Sequence, residues 1–330
     1  MAKTNIIIPH GFEIGHFDDE YTGVTVLLAK KGAVGGCDQC GGAPGTRETD
    51  LLRSEKMMQK INAVVLSGGS AYGLAASCGV MEWLRNKGYG YKTAGKIVPI
   101  VSGAVLFDLN QKEYHYPTAE YGVKACDNAG KAPVFGNVGA GKGATVGKIR
   151  GLKNACKSGI GAATVKVMGV TVTAVVAVNA MGDVYDGENI IAGAKGKNGF
   201  INTESVLANG EVSKLLFGSN TTIGCILTDA KIDKVGANKL ASISHNGLAR
   251  AIRPVHTDYD GDTMFAMASG KKPVVNFAIL QAATVEATRQ AIVNAVSLDN
   301  EYEIIFDEEE NKEDLTEALT EDLTQIYETI

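Results

Sequence analysis

One segment of the chain, residues 218–230 (GSNTTIGCILTDA), combines residue types that can carry out acyl chemistry. A small polar turn precedes Thr221, which lies at the start of an apolar strand. A β-branched side chain at this position is restricted at χ1 and can be held against the preceding carbonyl. The hydroxyl can then attack the Asn220 carbonyl, and water can cleave the resulting ester. The freed α-amine, with an ordinary pKa of about 7.7 to 8.0, can act as base for its own hydroxyl. Asparagine and threonine are also common in ordinary turns before strands, so the segment alone does not decide the matter.

Two further motifs are similar to ligand-binding loops but fail on their spacing. Residues 136–148 (GNVGAGKGATVGK) match the first part of a phosphate loop, but Gly143 stands where the magnesium-binding hydroxyl is required. The alternating aspartates of residues 256–263 (HTDYDGDT) open like a calcium loop, but Ser269 occupies the position of the required glutamate. We therefore expect neither nucleotide nor calcium to bind. The aspartates can instead orient a polar group by hydrogen bonds, or they form an exposed acidic turn.

Cysteine, histidine and serine spacing predicts no metal centre and no serine nucleophile. Cys37 and Cys40 form a C-x-x-C pair, but tetrahedral zinc needs two more ligands and no second pair follows at suitable spacing. The five histidines show no H-E-x-x-H or other ligand spacing. Ser70 lies in LSGGSAYGL, where a nucleophile elbow would need glycine at Tyr72. A role as a helix N-cap explains Ser70 with fewer assumptions.

The elements that must position these motifs are predicted from hydrophobic periodicity, and they indicate an α/β protein. Apolar, β-branched runs predict strands at Gly23–Ala29, Ile61–Leu66, Val98–Phe107 and Thr222–Thr228. A hairpin is expected over Ala163–Asn179, turning at Gly169. Helical spacing predicts helices at Ser70–Lys87, Gly236–Ile252 and Leu280–Ala295.

Composition and charge bound the class of protein. The chain has 330 residues, 45% of them hydrophobic, which is enough for one large domain or two ordinary ones. The net charge is −5, yet residues 301–330 contain twelve acidic side chains and one lysine, so the remainder is mildly positive. These positive charges are neither concentrated nor interleaved with aromatics, so we expect no nucleic-acid partner. We expect this acidic tail, residues 301–330, to be helical, because an apolar stripe runs through it from Asp307 onward. The tail would dock on the protein or a neighbouring subunit, or bind a partner.

The sequence gives no sign of membrane insertion or export. No apolar run reaches the roughly 18 to 20 residues that span a bilayer, and residues 1–12 lack the basic start and apolar core of a signal peptide. We therefore expect a soluble, cytoplasmic protein without a membrane partner. Its six dispersed cysteines are expected to be reduced thiols.

Six sequence blocks, distributed in order over roughly residues 5 to 298, belong together. They are TGVTVLLAKKGAVGGCDQCGGAPGTRETDLL (22–52), AVVLSGGSAYGLAASCGVMEWL (63–84), GNVGAGKGATVGK (136–148), VVAVNAMGDV (175–184), SNTTIGCILTDA (219–230) and HNGLARAIRPVHTDYDGDT (245–263). In this order they resemble the L-aminopeptidase/D-esterase family of self-processing N-terminal-nucleophile hydrolases. That family also includes β-aminopeptidases and nylon-oligomer hydrolases.

The resemblance implies a fold, a processing event and a class of reaction. The expected fold is a four-layer αββα sandwich that forms one structural domain. Autocleavage between Asn220 and Thr221 would divide it into a large chain, residues 1–220, and a small chain, residues 221–330. The implied reaction is hydrolysis of amides in small molecules or short peptides, with no cofactor. The resemblance also implies a homo-oligomer, specifically a homotetramer.

The resemblance also assigns roles to individual residues. The nucleophile falls on Thr221, with Thr222 as the near alternative, and the strand-end Asn179 of the V-N-A motif would donate to the developing oxyanion. The acidic pair of the D-G-D motif falls on Asp260 and Asp262, which would orient the Thr221 amine and hydroxyl.

Three further residues are matched less directly. Lys148 of the G-A-T-V-G-K motif is a candidate for lowering the nucleophile's pKa by its charge. Characterised members carry a tyrosine after the third strand where this chain has Phe107, so a hydroxyl contact is absent or supplied elsewhere. Phe107 and Ser70 are the candidate substrate-pocket residues.

Two alternatives to the hydrolase stay open from the sequence. The first is an acyltransferase of the ornithine acetyltransferase kind, which also self-cleaves before threonine and passes an acyl group to an amine. The second is a non-catalytic oligomeric binding protein that retains the scaffold and uses the tail for interaction. Among hydrolase substrates, amides with α-, β- or ω-amino groups are all compatible with the motifs.

Overall fold

Twenty strands and five α-helices form over the residues that the structure, a computed structural model, describes: 4–110, 112–210, 219–298 and 300–307. The strands are β1 (Thr4–Ile8), β2 (Glu13–Asp18), β3 (Gly23–Gln39), β4 (Gly45–Arg47), β5 (Lys60–Ser67), β6 (Tyr91–Thr93), β7 (Lys96–Val98), β8 (Val101–Val105), β9 (Thr145–Val146), β10 (Cys156–Lys157), β11 (Ile160–Val167), β12 (Val170–Asn179), β13 (Asp183–Asp186), β14 (Asn189–Ala192), β15 (Ala194–Gly196), β16 (Gly199–Ile201), β17 (Thr221–Ala230), β18 (Ile252–Arg253), β19 (Thr263–Lys272) and β20 (Tyr302–Phe306). The helices are α1 (Ala76–Asn86), α2 (Ala119–Asn128), α3 (Thr203–Ala208), α4 (Lys234–Ala251) and α5 (Phe277–Val296). None of the helices in these ranges has both the length and the apolar character needed to cross a membrane.

A nine-stranded sheet is the framework of the protein, and it changes direction along one strand. The strands follow in the order β11, β12, β17, β19, β3, β5, β8 and β4, and β2 pairs with β3. The first part of the long strand β3 pairs with β2 and β5, whereas its last part pairs with β19. Its register with β5 shifts between Leu28 and Ala33, around Gly32 with φ +81°, a conformation that glycine adopts without a Cβ penalty. The two parts of the sheet therefore face each other.

Three apolar cores separate the layers, because alternate residues along each strand point to opposite faces. The inner core lies between the two parts of the sheet and includes Leu27, Leu66, Val175, Ile223 and Phe265. One outer core lies under α1 and α2 and includes Val26, Val65, Val80 and Ala125. The other lies under α4 and α5 and includes Val176, Ile226, Leu248 and Ala287. The order helices, sheet, sheet, helices confirms the expected αββα sandwich.

The predicted strands and the hairpin of β11 and β12 are confirmed, but the N-cap role of Ser70 is wrong. Ser70 begins a 3₁₀ helix that ends at Ala75, and α1 begins only at Ala76. Ser70 has φ +51°, and Gly69 occupies the cap position. The Ser70 amide donates to the Leu106 carbonyl at 2.9 Å, which ties this turn to the end of β8. The α-helix therefore does not begin at Ser70.

The helical prediction for the start of the acidic tail is also wrong. Residues 302–306 form β20, which pairs in parallel with β1. Tyr302 and Ile304 are partly buried against the inner core. They are two residues apart and so lie on the same face of a strand, and this packing determines the structure here although the sequence that follows has a helical pattern. The remainder of the predicted helical tail, residues 308–330, lies outside the described residues.

Phe265 tests the importance of the inner core. It is completely buried in β19, so Phe265→Ala should lower the free energy of unfolding by about 3–5 kcal/mol through lost burial and a residual cavity. Denaturant unfolding followed by circular dichroism measures the change. Phe200→Ala, at a position that is 42% exposed, is the control and should change stability far less. Equal losses in the two variants would contradict this account of the core.

Candidate active site

Three strands meet where the residues expected to do chemistry lie. β12 runs antiparallel to β17, and their register places Asn179, the last residue of β12, opposite Thr221, the first residue of β17. β17 and β19 run parallel, so the turn that precedes β19 lies beside the start of β17. An isolated bridge between Asn220 and Asp260 extends this pairing by one step. Sheet topology thus brings together three motifs that are far apart in the sequence.

The hydroxyl of Thr221 is in contact with the peptide carbonyl that precedes it. Thr221 Oγ1 donates to the carbonyl oxygen of Asn220 in a short hydrogen bond, and both residues are buried. The same carbonyl accepts a hydrogen bond from the Gly261 amide at 2.9 Å. A Cβ on Gly261 would lie 2.8 Å from Thr221 Oγ1, so only glycine permits this approach. The carbonyl is therefore polarised from one side while the hydroxyl lies against it.

Lys148 is a buried cation that joins two segments of the site. Its Nζ donates to the Asn179 carbonyl at 2.8 Å, to Asn179 Oδ1 at 2.7 Å and to the Ser219 carbonyl at 2.8 Å. Burial lowers the pKa of Lys148 to about 7, while the charges of Asp260 and Asp108 oppose the shift. Three acceptors use the full donor capacity of an ammonium group and favour the charged form in this arrangement.

The side-chain amide of Asn179 is held in one orientation. Its Oδ1 accepts from the Thr145 amide at 3.1 Å as well as from Lys148, and its Nδ2 donates to the Phe107 carbonyl at 2.8 Å. Nδ2 also lies 3.2 Å from the Ser219 carbonyl, which places this donor beside the segment that leads to Thr221. Phe107 contributes its backbone carbonyl to this network.

The two aspartates of the D-G-D turn are buried and have separate partners. Asp262 Oδ1 accepts from the Thr222 amide at 2.6 Å, and its Oδ2 accepts from His256 Nδ1 at 2.8 Å. Asp260 Oδ2 accepts from the amide and the hydroxyl of Thr257 at 2.9 and 2.5 Å. Burial and the adjacent charge of Asp262 raise the pKa of Asp260 to about 6. Asp260 and Asp262 thus do not form the exposed acidic turn that was one interpretation of this segment.

The glycine-rich loop after β3 supports the D-G-D turn from the other side. The amides of Cys40 and Ala43 donate to the carbonyls of Asp262 and Asp260 at 3.1 and 2.9 Å. A Cβ on Gly41 would lie 2.2 Å from the Asp260 carbonyl oxygen, so the loop can pack here only with glycine.

Sequence reasoning missed three groups that the structure adds to the site. Asp108 is buried and accepts from the Gly69 amide at 2.6 Å, and burial raises the pKa of its carboxyl to about 6. Its signal in the sequence was a lone acid after a buried strand, which is the usual position for a site residue. Gly261 and Ser219 act through backbone groups, which leave no signal in residue type. Ser70, the other candidate pocket residue, is partly buried on the turn next to Gly69.

Solved structures of aminopeptidases share this architecture. The L-aminopeptidase D-Ala-esterase/amidase of Ochrobactrum anthropi, described as a variant of the Ntn hydrolase fold, matches with a TM-score of 0.65 and 17% identity over 89% of this chain and 88% of that chain. A Burkholderia sp. β-aminopeptidase matches with a TM-score of 0.62 and 21% identity, covering 86% and 84% of the two chains. The protein therefore has the Ntn (N-terminal-nucleophile) hydrolase fold.

Sequence relatives identify the family. The family model described as Peptidase family S58 matches residues 9–304, and the chain belongs to this family. An uncharacterized aminopeptidase of Mycobacterium leprae is 41% identical over 288 residues, which are 79% of this chain and 77% of the relative. A 6-aminohexanoate-oligomer endohydrolase of Agromyces sp. is 31% identical over 270 residues, 78% and 73% of the two chains. The resemblance seen in the sequence is confirmed, and the protein is a hydrolase of amide bonds.

The raised pKa of Asp260 predicts a pH dependence of stability. The folded chain holds this proton more tightly than the unfolded chain, so the free energy of unfolding falls as pH rises from about 3.8 to about 6. Asp260→Asn removes this contribution and should flatten the fall, which denaturant titrations across that range measure. Some dependence of the free energy of unfolding on pH should remain in this variant, because the raised pKa of Asp108 contributes over the same pH range.

Asp258→Asn is the matched control for that prediction, because it removes an exposed carboxylate from the same turn. It should leave the pH dependence of the wild-type protein in place. An equal flattening in both variants would show that general charge repulsion, and not burial of Asp260, causes the slope.

Proposed function

We propose that this protein is a self-processing aminopeptidase or amidase that cuts its own chain between Asn220 and Thr221 and then uses Thr221 as its nucleophile. The observation that carries the proposal is the contact of the Thr221 hydroxyl with the Asn220 carbonyl, which the Gly261 amide polarises. Membership of a peptidase family supports the same class of reaction.

The proposed self-cleavage has two steps. The Thr221 hydroxyl oxygen attacks the Asn220 carbonyl carbon, and the Gly261 amide donates to the oxygen that becomes negative. Collapse of this intermediate breaks the C–N bond, transfers a proton to the nitrogen and leaves Asn220 esterified to the threonine oxygen. Water then hydrolyses the ester, which gives a free carboxylate on Asn220 and a free amine on Thr221.

Hydrolysis of a substrate reuses the same groups after the cut. The Thr221 amine, whose pKa without perturbation is about 7.7 to 8.0, takes the proton of its own hydroxyl as that oxygen attacks the substrate amide. Cleavage also frees the segment at Ser219 to move, and we infer that Asn179 Nδ2 then donates to the substrate oxyanion. The Lys148 charge favours the alkoxide form of the nucleophile. Asp262 fixes the backbone beside it through the Thr222 amide.

The substrates that we propose are short peptides and small amides with a free amino group. This class combines what the relatives' names state, aminopeptidase activity in one group and hydrolysis of 6-aminohexanoate oligomers in another. We propose that the working form is a homo-oligomer, as the resemblance implied.

The processing step makes a direct prediction. Wild-type protein should separate under denaturing conditions into fragments of 220 and 110 residues, and the smaller should begin with Thr221. Thr221→Ala removes the attacking oxygen and should leave one unbroken chain. Thr222→Ala is the matched control and should still be cut. Intact mass measurement and N-terminal sequencing decide the matter, and a cut that persists in Thr221→Ala would refute the assignment.

Asn179 gives a separate test of catalysis. Asn179→Ala removes an oxyanion donor and should lower the rate of amide hydrolysis by about 100- to 1000-fold. The assay uses aminoacyl p-nitroanilides and a panel of amides whose amino group is at the α, β or ω position, with the fraction of cut chain measured in parallel. Comparing cut material alone separates loss of catalysis from loss of processing. A cut variant with unchanged turnover would exclude this role for Asn179, and net transfer of the acyl group to an added amine would favour an acyltransferase.

A further inference from the structure

Three side chains that can bind a metal meet beside Asp262, whose Oδ2 accepts from His256 Nδ1 and whose Oδ1 accepts from the Thr222 amide. One ligand atom each from Cys40, His245 and His256 lies within 4.8 Å of the others. The three residues come from the loop after β3, from α4 and from the loop before β19. The two imidazole rings are 4.7 Å apart and meet edge to face. Neither the proposed nucleophile nor its immediate partners include Cys40 or His245.

His245 has one ring nitrogen bonded and the other free. Its Nε2 lies 3.2 Å from the Asp38 carbonyl, and since a carbonyl can only accept, Nε2 carries the proton. Nδ1 then carries a lone pair, and this atom is buried with no hydrogen-bond partner among the residues that the structure describes. The residue is only 4% exposed. A buried nitrogen without a partner is costly, so this arrangement indicates a ligand at Nδ1.

His256 repeats the arrangement with a carboxylate as its partner. Its Nδ1 donates to Asp262 Oδ2 at 2.8 Å, and within the described part of the chain its buried Nε2 has no hydrogen-bond partner. Metal-binding histidines commonly donate their second ring nitrogen to a carboxylate or a backbone carbonyl, which fixes the tautomer and raises ligand basicity. His256 and His245 show one of these two partners each.

Cys40 supplies a soft ligand at the open side of the cluster. Its backbone amide donates to the Asp262 carbonyl at 3.1 Å. Its side chain is exposed, and Sγ donates a weak hydrogen bond to Asp38 Oδ2 at 3.7 Å, which a bound metal would replace. Burial and the charge of Asp38 raise the pKa of its thiol to about 11, which disfavours a free thiolate nucleophile. A bound transition metal would deprotonate the sulfur itself, because the ion is the largest local charge.

We propose that Cys40, His245 and His256 form a zinc site with one thiolate and two imidazole ligands and a fourth position open to water or another ligand. The combination of sulfur and nitrogen donors suits Zn²⁺ rather than Mg²⁺ or Ca²⁺, which prefer oxygen. Tetrahedral zinc places its ligand atoms roughly 3.3–3.6 Å apart. The three ligand atoms here lie within 4.8 Å of one another, so they need to move closer together to bind one ion. Asp262 lies behind His256 and links this site to the Thr222 amide.

Cobalt substitution tests the site without relying on enzyme activity. Full-length protein is freed of metal with a chelator and titrated with Co²⁺ under reducing conditions. We expect a thiolate-to-cobalt charge-transfer band and tetrahedral ligand-field bands that saturate at one ion per chain and disappear when Zn²⁺ is added. Cys40→Ser should abolish the charge-transfer band. Cys78→Ser, which changes an exposed cysteine elsewhere, is the matched control and should retain it.

Two further variants examine the imidazoles and the carboxylate behind them. His245→Gln should reduce the affinity for Co²⁺, and Asp262→Asn should weaken it by about 10- to 100-fold because the carboxylate that accepts from His256 Nδ1 is lost. Circular dichroism identifies any variant that fails to fold, and the exposed Cys40 still decides the question in that case. Absence of a thiolate band in the wild type, or its survival in Cys40→Ser, would overturn the proposal. The readout is the same in cut and uncut chains, so it is independent of the proposed function.

Discussion

The close approach of the turn at Gly261 to the Asn220–Thr221 peptide bond is the constraint on which the site depends. Parallel pairing of β17 with β19 places the turn before one strand against the first residue of the other. A side chain at position 261 would collide with the Thr221 hydroxyl, and its absence lets a backbone amide reach the Asn220 carbonyl. Space for the proposed nucleophile and polarisation of the carbonyl that it would attack therefore have the same cause.

The buried charge of Lys148 adds a second constraint, which acts on assembly of the site. Removing an ammonium group from water costs several kcal/mol unless hydrogen bonds replace its hydration. Its acceptors belong to Asn179 at the end of β12 and to Ser219 just before β17. The cost is offset only when both segments are in place, so the folded arrangement of the lysine and that of the peptide bond at Thr221 are linked.

The strands were predictable where β-branched apolar residues dominated a segment. The strands β5, β12 and β17 are rich in valine and isoleucine, and their periodicity identified them. β19 (TMFAMASGKK) was missed because methionine, alanine and glycine have little strand preference, and its burial comes from neighbours on both sides. The helical prediction failed at β20 because its strand character depends on pairing with β1, from the opposite end of the chain.

The candidate site was also predictable only in part. Asn179, Thr221 and the D-G-D turn were recognisable because each lies at a strand end within a short motif, and the sheet then brings them together. Spacing rules find metal ligands that share one helix or loop, and they excluded a metal here because Cys40, His245 and His256 lie on three separate segments. Only the sheet topology makes them neighbours. Since one nitrogen of His256 faces this cluster while the other holds Asp262, anything that binds the cluster acts on the carboxylate beside the proposed nucleophile.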